Sequence, residues 1–206
     1  DSCAFTIDWG DNSERENITS CKALSHKYGK GGNYTIKITG KYGPFSWPGE
    51  RITQKIINDE MITEFSESDV AYRYKGEDKS PSKLVAIKSF GQVRLGPFAF
   101  AFCNNLTELS AVDIPDASQM SNLSHGFHNS DFNLPIENWD LSQTTNLSYL
   151  FCNATKFNQP LEKWDVSNVN DLSYLFSNAK VFNQPLNSWN TANVTTLAAT
   201  FRKAYQ

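Results

Sequence analysis

Few side chains in this sequence could carry out catalysis, and their arrangement argues against an enzyme. A hydrolase needs a nucleophile, a base and a group that orients the base, and the histidines available are His26, His125 and His128. His125 and His128 are three residues apart, so both could reach one metal ion from a helix. Later segments carry tyrosine or cysteine at the aligned positions, which favours a structural role. No phosphate-binding glycine loop is present, and we predict no enzyme activity, metal or cofactor.

Two carboxylates near the N-terminus offer a second candidate for chemistry. Asp8 and Asp11 could contribute oxygen ligands to a calcium ion. Gly10, Asp11 and Asn12 are also ordinary turn residues, because glycine, aspartate and asparagine tolerate the dihedral angles that turns require. We interpret this stretch as a turn.

The four cysteines divide into two pairs. A bridge between Cys3 and Cys21 would close a loop of about 19 residues, worth roughly 3 kcal/mol, and we predict this structural disulfide. Cys103 and Cys152 fall at one aligned position, two repeats apart. At about 4.8 Å per layer they would be about 10 Å apart, beyond the roughly 7 Å limit for a disulfide. We predict that both are reduced and buried.

A sequence repeat must position any functional residue in the second half of the chain. Residues 132–140, 157–165 and 182–190 are copies of one pattern that begins with Phe-Asn and ends near Trp. Degraded copies extend the repeat back to about residue 89, which gives about five units. A column of phenylalanines runs through them: Phe102, Phe127, Phe151, Phe176 and Phe201. A fixed period of this length is typical of a solenoid whose units stack to bury their apolar faces.

Each unit contains two short predicted elements. Leu147, Leu150 and Phe151 have the i, i+3, i+4 spacing of a short helix, and the asparagine two residues after each phenylalanine can end it in a left-handed conformation. The stretch 157–164 is predicted to be extended, with Pro160 limiting its regular strand. The predicted fold class is therefore α+β: a solenoid of short parallel strands and short helices. The phenylalanine, leucine and tryptophan columns are its predicted core.

The N-terminal region carries a different pattern. Residues 5–9 and 34–39 alternate apolar and polar side chains, which predicts half-buried strands of a small antiparallel β module. We divide the chain into this module at 1–43, a connector or capping segment at 44–88 and the repeats at 89–206. Within the connector, 70–74 and 84–87 could form a hairpin.

Composition excludes several classes of function. The net charge is −3 and no block of basic residues occurs, so nucleic acid is not an expected partner. No apolar run is long enough to span a bilayer, and no signal peptide is visible at the start. The phenylalanine of a further unit would fall at position 207 and no polar cap is visible. We therefore expect the array to continue, or its C-terminal end to meet a partner or a second copy of the chain.

Specificity in a repeat protein is expected where the units differ. Next to each tryptophan two polar positions change from unit to unit. We predict that these positions form an exposed partner-binding stripe. Its members are Glu137, Asn138, Glu162, Lys163, Asn187 and Ser188.

Two stretches of the chain are similar to known families. Residues 157–179, FNQPLEKWDVSNVNDLSYLFSNA, resemble a short bacterial surface-protein repeat that is a relative of BspA-type leucine-rich repeats; Leu172 and Leu175 stand where methionine is usual. Residues 98–107 are similar to the BspA-type A-F-x-x-C-x-x-L-T pattern. Residues 6–12, with His26 and the stretch 32–36, resemble the C-terminal half of a PKD-type immunoglobulin-like domain, which implies a structural role for His26.

The resemblance implies an exported bacterial protein whose relatives are linked to adhesion and host interaction. We predict a non-enzymatic cell-surface or secreted protein that binds a protein partner, with any membrane attachment through an anchor outside this chain. The alternative is a carbohydrate-binding or spacer module of a larger surface protein. Burial of Trp139, Trp164 and Trp189 would remove the best candidates for stacking on a sugar.

Overall fold

The computed structural model describes residues 4–19, 30, 34–41, 53–57, 60–64, 84–90, 95–110, 113–115 and 120–204. The chain divides into two compact units. The first contains Asp1–Gly43 and Glu50–Ser80, and the second contains Pro44–Gly49 and Pro81–Gln206.

The first unit contains two antiparallel sheets. Strands β1 (Ala4–Asp8), β2 (Glu16–Ile18) and β3 (Lys37–Lys41) form a sheet in the order β2-β1-β3, in which Ile7 lies opposite both Glu16 and Ile38. Strands β4 (Thr53–Ile57) and β5 (Glu60–Glu64) form a separate pair. Ile7 and Trp9 are buried, whereas Ile36 and Ile38 remain exposed, so the alternation in 34–39 does not produce the predicted burial.

Turn chemistry connects β1 to β2, as the sequence predicts. The Asp8 carboxylate accepts the Gly10 amide at 2.9 Å, and the Asp11 carboxylate accepts the Ser13 amide at 3.1 Å. Gly10 has φ of 78°, and a Cβ added there would lie 2.4 Å from the Thr35 carbonyl oxygen. Only glycine fits this position. Both carboxylates therefore serve the turn.

The predicted fold class of the repeats, an α+β solenoid of short parallel strands and short helices, is wrong. The described residues contain no helix, and in the second unit their only strands are β6 (Ala86–Ile87) and β7 (Glu108–Leu109), which pair in parallel. Further along, parallel pairing is reduced to isolated bridges that link Asn122, Asn146, Asp171 and Thr196 in succession. The predicted hairpin partner of 84–87, at 70–74, lies outside the described residues.

Chains of turns replace the predicted helices. We name five stretches turn segments: 96–103, 123–130, 147–154, 172–179 and 197–204. In the third, the Leu150 amide donates to the Leu147 carbonyl at 3.2 Å, three residues back. The next amide, that of Phe151, donates instead to the Leu175 carbonyl of the following segment at 3.0 Å. Since alternate amides leave the segment, the i→i−4 bonds of an α-helix cannot form.

Backbone angles in the turn segments repeat in the same way. The predicted left-handed asparagine is confirmed at Asn129, Asn153 and Asn178, with φ between 52° and 60°. A second left-handed residue precedes each by four positions, and here the side chains are bulky: His125, Tyr149 and Tyr174. Left-handed φ is unfavourable for such residues, and the inter-segment hydrogen bonds hold them there.

Columns of stacked aromatic rings form the core of the repeats, as predicted, but the register differs in the first repeat, which contains turn segment 96–103. Phe127, Phe151 and Phe176 stack nearly parallel, with ring centroids 5.5 and 5.6 Å apart. The column continues to Phe100 at 5.4 Å, not to Phe102, because the Phe100 amide bonds to the carbonyl of Gly126. The predicted alignment of Cys103 with Cys152 therefore fails as well. Cys103 takes the position of Ser130 and Ala154, since all three amides make the equivalent local turn bond.

Candidate binding surface

The six residues of the predicted stripe lie on three successive tight turns. Each pair occupies the two central positions between an apolar residue and a tryptophan. In the middle unit the Trp164 amide donates to the Leu161 carbonyl at 3.1 Å, across Glu162 and Lys163. The same bond closes the turns 136–139 and 186–189, at 3.0 and 3.1 Å. A turn of this kind points its central side chains outward, and all six are exposed except Glu137, which is half-buried.

Contacts between turns join five of the six residues, all but Asn187, into one surface. The Lys163 ammonium lies 3.0 Å from a Glu137 carboxylate oxygen and donates to the Asn138 side-chain carbonyl at 3.2 Å. Ser188 donates its hydroxyl to the Glu162 main-chain carbonyl at 2.6 Å. The structure therefore brings together residues from successive units. An exposed ion pair of this type adds at most about 1 kcal/mol to stability, so these residues are free to vary.

Buried tryptophans hold the stripe turns in place. The indole Nε1 of Trp164 donates to the Ile136 carbonyl of the preceding turn at 3.0 Å, and that of Trp189 donates to the Leu161 carbonyl at 3.0 Å. Trp139 and Trp164 are buried, and Trp189 is half-buried. The indoles of Trp164 and Trp189 thus each tie one stripe turn to the preceding one.

Replacing Trp164 by phenylalanine should lower the free energy of unfolding by about 1–3 kcal/mol, since it removes the indole hydrogen bond to the Ile136 carbonyl, which keeps the Trp139 amide, and leaves part of the buried ring's volume empty. Trp189→Phe is the matched control, because it removes the same bond at a half-buried site and should cost less. Urea unfolding monitored by circular dichroism compares the two variants. An equal or larger loss at Trp189 would contradict this role for the indole.

The repeated polar residues serve the scaffold. The Asn133 side-chain carbonyl accepts the Asn158 amide at 2.9 Å, and the Asn158 side chain accepts the Asn183 amide at the same distance. Asn168 and Asn193 donate side-chain amides to the carbonyls of the preceding unit at 2.8 and 2.7 Å. The repeated asparagines therefore join each unit to its neighbour by the same bonds, whereas the stripe positions vary from unit to unit.

One neighbouring pair was missed by the sequence reasoning. Lys156 and Asp131 form an ion pair at 2.7 Å between the two repeats that Lys163 and Glu137 also link. They occupy the position before each repeat phenylalanine, where the third unit has Val181. This position varies between units as the stripe does, so the same criterion applied there would have found it.

His125 and His128 lie inside aromatic packing. The His125 ring stacks between Phe98 and Tyr149, with centroids 4.4 and 4.6 Å apart, and the two histidine rings are 5.5 Å apart. Their Nδ1 atoms are buried without a hydrogen-bond partner. Burial lowers the pKa of each imidazole to about 4. No cluster of three or more metal-ligating side chains occurs in the described part of the chain.

The cysteines that the structure describes are buried thiols. Cys103 and Cys152 are both free. Burial raises the pKa of Cys103 to about 12 and that of Cys152 to about 11, so neither is a thiolate near neutral pH. Cys3 and Cys21 lie outside the described residues, and their disulfide stays a prediction.

A search for membrane-spanning helices over the described residues identifies none of sufficient length and hydropathy.

Comparison with known protein families identifies a match over the repeats. The family described as "Mycoplasma protein of unknown function, DUF285" matches residues 98–206, more than half of the chain. This chain belongs to that family. No curated protein and no solved structure matches it. The match begins at Phe98, within the first turn segment, and therefore covers every residue of the stripe.

Proposed function

We propose that this member of the DUF285 family is a non-enzymatic repeat protein, exported to the bacterial surface, that binds a protein partner in adhesion through the stripe. The observation that carries the proposal is that some polar side chains make the same contacts in successive repeats whereas others vary from repeat to repeat. The hydrogen bonds that Asn133, Asn158 and Asn168 make between units recur at equivalent positions, whereas Glu162 and Lys163 are exposed and differ from their counterparts in the other units. A fixed scaffold with variable exposed positions is how repeat proteins build a binding face.

The chemistry of the stripe favours a polar protein surface as the partner. It presents two carboxylates, one ammonium, two side-chain amides and one hydroxyl. Such a mixed surface supports hydrogen bonds and ion pairs at an interface rim. Export and surface location are supported by the resemblance of residues 157–179 to bacterial surface-protein repeats.

Burial of the repeat tryptophans counts against the alternative that the chain binds carbohydrate. Sugar binding commonly uses an exposed aromatic face. Trp139 and Trp164 are buried, and the Trp164 and Trp189 rings stack on each other with centroids 6.4 Å apart. These rings are therefore committed to the core of the repeats.

The test measures binding of the labelled chain to cultured animal epithelial cells by flow cytometry. The triple variant Glu162→Ala/Lys163→Ala/Asn187→Ala should reduce binding at least about tenfold, an amount that corresponds to about 1.4 kcal/mol. Trypsin treatment of the cells should abolish binding, whereas periodate oxidation of their glycans should leave it intact.

The matched control is Gln143→Ala/Lys180→Ala, which changes exposed residues of the same units outside the stripe. It should bind as the unaltered chain does. Equal binding by the stripe variant, loss of binding after periodate alone, or no binding to the cells would each contradict the proposal.

A further inference from the structure

A tight turn lies at each end of the stretch 157–161. The Phe157 amide donates to the Ala154 carbonyl at 3.1 Å and closes the first turn, which has Lys156 at its third position. The second is the stripe turn, which has Lys163 at its third position. Both lysines are exposed. A second column of variable residues therefore runs along the repeats, at the end of this stretch that the stripe does not occupy. We name it the far column, and its members are Asp131, Lys156 and Val181.

Ion pairs link both columns to the preceding repeat, and the two pairs have the same direction. Lys156 Nζ lies 2.7 Å from a carboxylate oxygen of Asp131 in the far column. Lys163 Nζ lies 3.0 Å from a carboxylate oxygen of Glu137 in the stripe. In both pairs the earlier repeat supplies the anion and the later repeat supplies the cation. The surface therefore changes from negative to positive from one repeat to the next.

This change of charge is not a requirement of the scaffold. In the following repeat the two lysine positions hold Val181 and Ser188, and the layers still stack. An exposed ion pair also adds little to stability. The side chains of Lys156 and Lys163 are 64% and 62% exposed, so a partner can reach their ammonium groups. Because Glu162 offsets part of the positive charge in the stripe, the change of charge is clearer in the far column.

We propose, building on the proposed function, that the far column belongs to the same binding face as the stripe and fixes the direction in which the protein partner lies along the repeats. The partner presents a basic side chain to Asp131 and an acidic side chain to Lys156. A partner turned end for end would bring like charges together, which weakens binding and slows association. The stripe and the far column therefore contact one partner at two places.

Reversing the ion pair of the far column separates recognition from support of the scaffold. Asp131→Lys/Lys156→Asp exchanges the two charges and keeps a pair between the same repeats, so the midpoint of urea unfolding should stay unchanged. Binding of the labelled variant to epithelial cells should fall at least about tenfold, because both charges then oppose like charges of the partner. The neutral variant Asp131→Asn/Lys156→Gln should bind better than the reversed variant and less well than the unaltered chain.

The matched control reverses an exposed ion pair outside the binding face, in Lys88→Glu/Glu108→Lys. It should bind as the unaltered chain does. Unchanged binding by the reversed far-column variant, better binding by that variant than by the neutral one, or an equal loss in the control would each overturn the role of the far column. In those cases a stripe variant that still loses binding would leave the proposed function standing. Normal binding by the stripe variant, or no binding by the unaltered chain, would overturn both proposals.

Discussion

Replacing Phe151 by alanine should lower the free energy of unfolding by about 3–5 kcal/mol, the largest effect expected of a single substitution in this chain. Phe151 is fully buried and lies at the centre of the aromatic columns. Its ring stacks on Phe127 and Phe176 and contacts Phe157 with centroids 3.9 Å apart. Alanine would leave a cavity between three layers that the fixed hydrogen bonds on either side prevent from closing.

The same column supplies the matched control. Phe201→Ala removes the same ring at a position where it contacts one neighbouring layer and is 54% exposed. It should cost less than about 1.5 kcal/mol, because most of the ring is already in water. Urea unfolding of both variants gives the two free energies. Similar losses at Phe151 and Phe201 would contradict the buried stacking of the phenylalanine column.

Acidification should destabilise the repeats through His125 and His128. An imidazole in the unfolded chain has its pKa near 6.5, whereas burial holds both folded pKa values at about 4. Well above pH 6.5 both states are neutral and stability is unaffected. As the pH falls from 6.5 towards 4, the unfolded state takes up protons first, so stability is lost. The loss levels off well below pH 4, at roughly 3–6 kcal/mol for the pair, because the charge on His128 contributes part of the lowered pKa of His125.

The surroundings of the two rings explain the direction of this effect. His125 is covered by Phe98 and Tyr149, and His128 is close to the ring of Phe102 and to the side-chain amide of Asn129. None of these neighbours is anionic near neutral pH, so none would compensate a charged imidazolium. Unfolding by urea at a series of pH values between 7 and 4 measures the loss.

The repeat itself provides the control for the pH effect. In the double variant His125→Tyr/His128→Ser, each histidine is replaced by the residue that a later unit has at that position, in Tyr174 and Ser177. Other titrating groups are the same in both chains, so the difference between the two pH profiles isolates this pair. Parallel profiles between pH 6.5 and 4 would show that the histidines are solvated.

The core of the repeats could be predicted from the sequence because it depends on residue type and period. Phenylalanine, an aliphatic residue and tryptophan recur at fixed positions of 132–140, 157–165 and 182–190, and a side chain at each of these positions must leave water. Phe157, Leu161 and Trp164 are accordingly buried. The left-handed asparagines could be predicted for a similar reason, since few other residues adopt that angle readily.

The local conformation of each unit could not be predicted in the same way. The spacing of Leu147, Leu150 and Phe151 suits a helical turn, but a succession of tight turns gives the same faces. A helix and a succession of tight turns differ in the hydrogen-bond acceptor of every second amide. In this chain that acceptor lies in the next repeat along the chain. Short-range patterns carry no information about it, so the prediction of a helix was wrong.

The predicted register of the first repeat, which contains turn segment 96–103, was wrong because its sequence allows more than one alignment. Phe98, Phe100 and Phe102 alternate with small residues, so aromatic identity alone does not say which ring joins the column. The hydrogen bond from Phe100 to Gly126 decides it, at a longer spacing than the one that separates the later phenylalanines. Within 132–190 the period is regular, so the stripe residues fall at equivalent positions of successive turns, and their role in binding stays a prediction.

The most direct test of the layered arrangement is to identify the acceptor of the Phe151 amide by NMR, through the scalar coupling transmitted across its hydrogen bond. Coupling is expected between the Phe151 nitrogen and the Leu175 carbonyl carbon, in the next unit of the chain, with the Leu150 amide coupled to Leu147. Coupling of Phe151 to the carbonyl of Leu147, four residues earlier, would mean a helix and would contradict the layered arrangement of the repeats.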